Sequence, residues 1–423
     1  MAYLVFFGLP IVLLILGFPI FLILLVTSMV AAVAVVHVAT EQIQTSMFGS
    51  LDSFPLLAVP FFVLAGEIMA QGGIARRIIA MVMAMVGGVR GSLAVTTVAA
   101  SELFGAMSHT AVGTVVAMGR MIYPELKAGG YNERFAVGLI ASSGAIAVVI
   151  PPSIAMILYA VSAEQSAVLL FTAGILPSIL IGVIDAAYVM SYARLKRVPL
   201  GTSAHWETIW KTTKEASWSI GSLAVIFGGI YGGVFTPTEA AGVAVVYSLF
   251  VTMVIYREVD LAGFWRILLA SAYLISQILL IVTSAGIYSW LLTTSGIPQQ
   301  VVDAINALNM PKWELLLCLN LGLLLAGSFL EPPAAILILT PLLLPIVRGA
   351  GVNAIHFGII VAVNLSLGMY TPPFGLNLFS SQAIFDAPLS RIYVGVLPFL
   401  LLNFVALMII TYVPAISMVL LQH

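Results

Sequence analysis

The sequence predicts an all-α polytopic membrane protein built as two inverted repeats, each with a re-entrant helical hairpin and a Pro-Pro-broken helix. Three observations predict it. Hydrophobic residues make up 61% of the chain and charged residues 8%, where a soluble domain carries about a quarter charged residues. Pro151-Pro152 interrupts the apolar run 135–162, and Pro372-Pro373 interrupts the run 356–382, 221 residues further on. Each pair follows, by about twenty residues, the same kind of turn: Gly129-Gly130-Tyr131-Asn132 in one half and Gly349-Ala350-Gly351-Val352-Asn353 in the other. Prolines inside a helix leave carbonyls without helical partners. Such carbonyls persist at membrane depth only where protein, water or an ion satisfies them. Membrane helices broken at corresponding places in two halves are the signature of a secondary transporter.

The predicted spans are 3–36, 54–71, 135–162, 166–193, 215–235, 239–256, 264–293, 356–382 and 392–420. Runs such as 3–36 exceed the length needed to cross the hydrocarbon. The N-terminal stretch has no positive region and no small-residue cleavage site, so it reads as a retained span. Residues 92–119 and 314–347 carry polar or helix-breaking residues near the middle, Ser108-His109-Thr110 and Glu331-Pro332-Pro333. Both read as re-entrant hairpins. The mixed pieces 74–90 and 297–311 read as arms lying in the interface. The single cysteine, Cys318, allows no intrachain disulfide and reads as a small buried hydrophobe.

Lys and Arg set the expected orientation. With a cytoplasmic N-terminus, fourteen of the sixteen basic residues fall inside, and only Lys312 and Arg348 fall outside. A full crossing at either hairpin would invert the downstream charges. Shifted by 221 residues, the first-half spans, hairpin and broken run overlap those of the second half. The expected division is a first repeat at 1–193, a cytoplasmic loop and linker span at 194–238, and a second repeat at 239–423. Four spans plus one linker is odd, so the second repeat is inverted. A site is expected near the midplane, between hairpin tips and broken helices.

Several segments then carry a resemblance. Gly228–Gly242 (GGIYGGVFTPTEAAG), Ile150–Ile154 (IPPSI), Asn364–Asn377 (NLSLGMYTPPFGLN) and Ala335–Pro341 (AILILTP) resemble the large membrane subunit of tripartite ATP-independent periplasmic (TRAP) transporters, the DctM-like family. The resemblance covers essentially the whole chain. It implies an elevator-type importer of organic acids driven by sodium, with two or more ions, in the bacterial inner membrane. It also implies two partners, a small four-span membrane subunit and a periplasmic substrate-binding protein. No nucleic-acid partner is expected, and the bilayer is the chain's other surrounding.

The resemblance places a first sodium site at Gly105 and Ser108 of the hairpin tip, completed by carbonyls of Ala147, Ile150 and Pro152. Ser108 matches the first serine of the family's Ser-Gly-Ser tip, Gly105 stands where many members have serine, and Thr110 can replace the second hydroxyl. A second site falls on Thr371, with the Phe374 carbonyl, beside Glu331. A carboxylate at such a tip is costly unless paired, and a hard oxygen suits a small cation. Glu331 stands where the family more often has Asp, and the other reading is a carboxylate capping the half-helix that starts at Pro332. For Thr371 the other reading is a hydroxyl bonding back to its own helix.

His109, Thr110, Ser143, Asn364 and Asn377 are candidates to meet the substrate. His109 bonds substrate, titrates or faces the gate, or else is structural. Asn364 and Ser366 serve the site or bridge helices, and Gly144 and Ser143 let the helix unwind. Arg120, Lys127 and Glu125 read as interfacial anchors. Glu239 meets a partner or caps its helix.

No HExxH, paired aspartates or Walker-type GxxxxGK[ST] occurs, so neither zinc proteolysis nor ATP hydrolysis is supported, and no enzyme is expected. The other transport reading is a stand-alone sodium–dicarboxylate elevator symporter of the same architecture. The TPTEAAG segment argues against it.

Overall fold

The computed structural model describes residues 1–423 other than 87, 109, 200–204 and 422–423, with the backbone alone at 40 and 306. Among the described residues the only regular elements are helices. Seven are long and apolar enough to cross a membrane.

The first predicted span is not one helix. Residues 3–36 form α1 (Leu4–Ile15) and α2 (Ile20–Val36), which fold back on each other. The cause is local: Gly17 takes a left-handed φ of 79°, a conformation open to glycine that ends a helix, and Pro19 precedes the first residue of α2. Residues 37–53, between the first two predicted spans, contain α3 (Thr40–Gly49). α4 (Phe54–Gln71) fills its predicted span, and α5 (Ile74–Met85) is the first arm.

The first hairpin is α6 (Ser92–Ser108) and α7 (Ala111–Ala128). The first broken span is α8 (Glu133–Ile146) and α9 (Ile154–Ala163), followed by α10 (Ala167–Leu195). Asn132 caps α8, and Ser153 caps α9 while donating to the Val148 carbonyl at 2.5 Å.

After α11 (Trp206–Glu215) come α12 (Ser217–Tyr231) and α13 (Pro237–Ile255), again joined by a turn with a left-handed glycine, Gly233. Thr236 and Glu239 form a reciprocal capping box on α13, so the capping role read for Glu239 is realised. α14 (Leu261–Thr294), the arm α15 (Ile297–Ala307) and the second hairpin, α16 (Lys312–Phe329) and α17 (Pro332–Gly349), follow. The second broken span is α18 (Ala354–Gly368) and α19 (Leu376–Phe385). The last span, α20 (Leu389–Tyr412), stops at Val413-Pro414, short of the predicted residue 420, and a short α21 (Ala415–Met418) follows.

α8 from Phe135 onward and α18 from Ile355 onward are buried on every side. That is the one environment in which interrupted helices are tolerated at membrane depth. Around them, contacts between helix ends sort into two sets. One holds Arg76 and Arg77 with Glu258 at 2.8 and 2.7 Å, and Arg391 with Glu133 at 3.0 Å. The other holds Thr238 on the Phe54 carbonyl, Tyr159 on that of Ala354, and Tyr412 on that of Trp313.

Tyr3 donates to Gln300 at 2.7 Å, at the end of α14 away from Glu258. The start of the chain therefore lies on the face opposite the basic clusters. The expectation that it shares their side fails because Gly17 turns the first span back. Lys312 and Arg348 lie on that opposite face, where each donates to a carbonyl, Gly351 at 3.0 Å and Ala163 at 3.3 Å.

Candidate translocation site

Each hairpin meets its broken helix through residues too small to hold them apart. A Cβ at Gly105 would come to 2.5 Å from Ala147 Cα, so the end of α6 rests directly on the backbone where α8 ends. Serine, expected at this position in many family members, does not fit this approach. In the second half, a Cβ at Gly368 would come to 2.6 Å from Gly327 Cα. The two contacts occupy corresponding places: hairpin arm near its tip, broken helix at its end.

The two broken helices also touch each other. Ser366 donates to the Ala145 carbonyl at 2.6 Å, and Asn377 to the Ala141 carbonyl at 3.1 Å. A Ser hydroxyl and an Asn amide thus join the halves in a dry interior, where an unmade bond would cost about 1–3 kcal/mol.

Around the first break, α8 stops at Ile146 and the chain turns through 147–149 before Pro151-Pro152, whose peptide bond is cis. Among the described residues, the carbonyls of Ala147 and Ile150 accept no backbone hydrogen bond. Ser143 is fully buried and its hydroxyl has no partner among the described residues. Ser108 at the tip lies 3.1 Å from the hydroxyl of Thr114, which itself donates to the Thr110 carbonyl at 2.9 Å. Thr114 was not anticipated: four residues past Thr110, it completes the polar lining of the tip. Thr110 caps α7 in extended geometry without using its side chain for it. His109 lies outside the described residues.

The second break differs in detail. Thr371 donates to the Leu367 carbonyl at 2.7 Å, so the back-bonding role is realised, with its oxygen lone pairs still available. The Phe374 carbonyl accepts no backbone hydrogen bond among the described residues, and the Phe374 ring packs on Phe329 at 5.1 Å between centroids. That contact ties the second hairpin tip to the break. Glu331 occupies the N-cap position of α17 and is exposed, but its side chain makes no capping hydrogen bond. Capping by hydrogen bond is therefore absent, and the carboxylate is left at the positive end of a half-helix.

Asn364 is fully buried and donates to Asn320 at 2.6 Å, while Asn320 donates to Thr411 at 3.2 Å. Asn364 thus bridges helices, with its own Oδ1 unpartnered, as is Oδ1 of Asn377. Two carboxylates were passed over in the sequence: Asp185, fully buried, and Glu102, half-buried with its Oε1 enclosed. Their signal was there: each is the lone charge inside a long apolar stretch.

The pattern described as "Tripartite ATP-independent periplasmic transporter, DctM component" matches residues 7–416. The chain belongs to the DctM family. It is 39% identical to the C4-dicarboxylate TRAP transporter large permease protein DctM of Pseudomonas aeruginosa over 90% of each chain. It is 36% identical to the protein of the same name from Rhodobacter capsulatus over 99% of each. Among solved structures it resembles the YdaH transporter of Alcanivorax borkumensis, with a TM-score of 0.69 at 14% identity over 95% of this chain and 97% of that one. That likeness concerns the fold. The DctM chain is thus a multi-pass large permease subunit of a TRAP transporter, and its relatives are transporter subunits and not enzymes.

Proposed function

We propose that this chain is the sodium-coupled translocation subunit of an importer for an organic acid. A periplasmic binding protein hands over the substrate, and a small four-span subunit stands alongside. The observation that carries the reading is the pairing of each broken helix with a hairpin tip: Gly105 on Ala147, Gly368 on Gly327. Carbonyls released by the breaks, with the hydroxyls of Ser108, Ser143 and Thr371 and the Glu331 carboxylate, form an oxygen-rich donor set suited to a small hard cation. One relative, the isethionate TRAP transporter permease protein DctMQ of Oleidesulfovibrio alaskensis, is longer than this chain, which covers 65% of it. Extra length of that kind fits a small subunit joined to the large one.

The architecture supporting this is an inverted repeat whose boundaries differ from those expected. From hairpin onward, second-half helices start 220–222 residues after their counterparts: α6 and α16, α7 and α17, α8 and α18, α9 and α19, α10 and α20. α12 and α13, with their glycine turn, match α1 and α2. The helix taken for a linker thus opens the second unit at Ser217, and each unit crosses five times. Five is odd, so the second unit is inverted. With the basic clusters cytoplasmic, the start of the chain faces the periplasm. The hairpins and broken helices would move together, elevator-wise, against the remaining spans.

Glu331→Gln keeps shape and removes charge. With transport measured in the complete three-component system, the sodium concentration for half-maximal uptake should rise roughly ten- to a hundredfold. The rise should exceed that from Asn364→Ala, whose amide already serves a helix bridge. An unchanged sodium dependence in Glu331→Gln would remove Glu331 from the site.

A further inference from the structure

Glu102 and Asp185 lie inside the membrane-spanning body. Glu102 is on α6, six residues before the tip serine Ser108, and Asp185, 0% exposed, is inside α10. α6 crosses α10 at Gly182, and a Cβ at Gly182 would overlap Glu102 Oε1. Gly182 and Asp185 are three residues apart, neighbours on one helix face, so both carboxyls share one seam. Asn403 on α20, also 0% exposed, donates through Nδ2 to Asp185 Oδ2 at 3.4 Å and to Tyr370 Oη at 3.0 Å. Glu102 Oε1, Asp185 Oδ1 and Asn403 Oδ1 are all buried and without a hydrogen-bond partner among the described residues.

Charged groups from the surrounding helices do not balance the seam. Among the described residues, the ion pairs join Glu258 to Arg76 and Arg77, and Glu133 to Arg391. Of the helices packed on α10, α6 brings Glu102, α9 Tyr159, α12 Tyr231, and α18 His356, with Tyr370 just past its end. α20 brings Arg391, Tyr393 and Tyr412, and α10 itself adds Tyr188, Tyr192 and Arg194. Arg391 is paired at the start of α20, Arg194 sits in the last turn of α10, and His356 is held by Ser417 and the Thr411 carbonyl. An uncompensated carboxylate in such an interior is costly, and two on one seam repel. With Glu102 pressed on the Gly182 backbone, the seam is close-packed. A proton relieves the charge without needing the space of a coordinated metal ion.

We propose that Glu102, Asp185 and Asn403 form a proton-binding site in the membrane interior. Through Asn403 and Tyr370 it is linked to the second broken helix, since Tyr370 adjoins Thr371. The proton enters from water onto a carboxylate oxygen and leaves the same way. Asn403 divides its amide protons between Asp185 and Tyr370. A change of charge at Asp185 therefore alters the hold on Tyr370 at the edge of the break.

The test is infrared spectroscopy of the full chain in lipid nanodiscs, titrated with pH. The carbonyl stretch of a protonated carboxyl should be present at neutral pH, vanish on alkalinisation, shift in deuterated water, and be at least halved in Glu102→Gln or Asp185→Asn. Absence of that band at neutral pH, or its persistence in both variants, would overturn the site. So would a carboxyl response to sodium with none to pH.

Asn403→Ala tests the link and keeps the test open if a carboxyl variant fails to fold. In the three-component transporter it should shift or flatten the pH profile of uptake. An unaltered profile would overturn the link to the break. This second arm rests on the transport reading, whereas the spectroscopic arm does not, so the two failures are distinguishable.

Discussion

Uptake by this subunit alone should be negligible, at least a hundredfold below that of the same chain with its small subunit and its periplasmic binding protein. The segments on the face opposite the basic clusters are short. Of the two longest, 37–53 is largely occupied by α3 packed on α14, and 295–311 by α15. None offers a capture domain, which fits the proposed delivery of substrate by another protein. Lys312 and Arg348 are exposed on this face. Reversing their charge should weaken rescue more at low salt than at high salt, because exposed charges are screened. Their bonds to Gly351 and Ala163 also anchor the ends of the second hairpin, so some loss should persist at high salt. Proteoliposomes loaded with each combination of components measure both effects. Robust uptake by the isolated chain would favour the stand-alone symporter.

Gly368→Val should abolish transport. Even a Cβ there meets Gly327 Cα at 2.6 Å, on backbone that has no side chain to swing aside. α16 and α18 would have to separate, and overpacking of this kind costs about 1–3 kcal/mol. The damage falls where the second hairpin meets its break, so function should be lost before folding is. Gly322→Ala on the same α16 is the control: a Cβ there meets nothing within 4 Å, and alanine favours a helix over glycine by about 1 kcal/mol. Uptake normalised to folded protein, with thermal melting alongside, separates the two. Gly368→Val with normal uptake would show that the close approach is dispensable.

Much of this fold was legible because the membrane makes hydrophobic runs, breaks and basic loops explicit. Helix breaks fall inside the predicted runs 92–119, 135–162, 314–347 and 356–382, although α7 runs on to Ala128, nine residues past the predicted limit. The failure at 3–36 came from treating length as decisive. Leu16-Gly17-Phe18-Pro19 is as apolar as its flanks, so only the left-handed glycine and the proline marked the turn. That one miss set the expected side of the chain's start and kept the proposed correspondence between α1–α2 and α12–α13 out of view.

Among the candidate site residues, which hydroxyl binds back depends on local geometry that residue types do not carry. Thr371 bonds to Leu367 while Ser143 has no partner among the described residues. The bond between Ser366 and Ala145, 221 residues apart, could not be read from either segment alone.

In the proposed function, broken helices and hairpin tips together hold sodium and couple it to uptake. The most direct measurement is substrate uptake into proteoliposomes carrying the complete three-component transporter, with external sodium replaced stepwise by potassium at constant ionic strength. Uptake should fall to background without sodium and rise with a Hill coefficient above one as sodium is restored. Uptake undiminished with potassium replacing all sodium would contradict the proposed function.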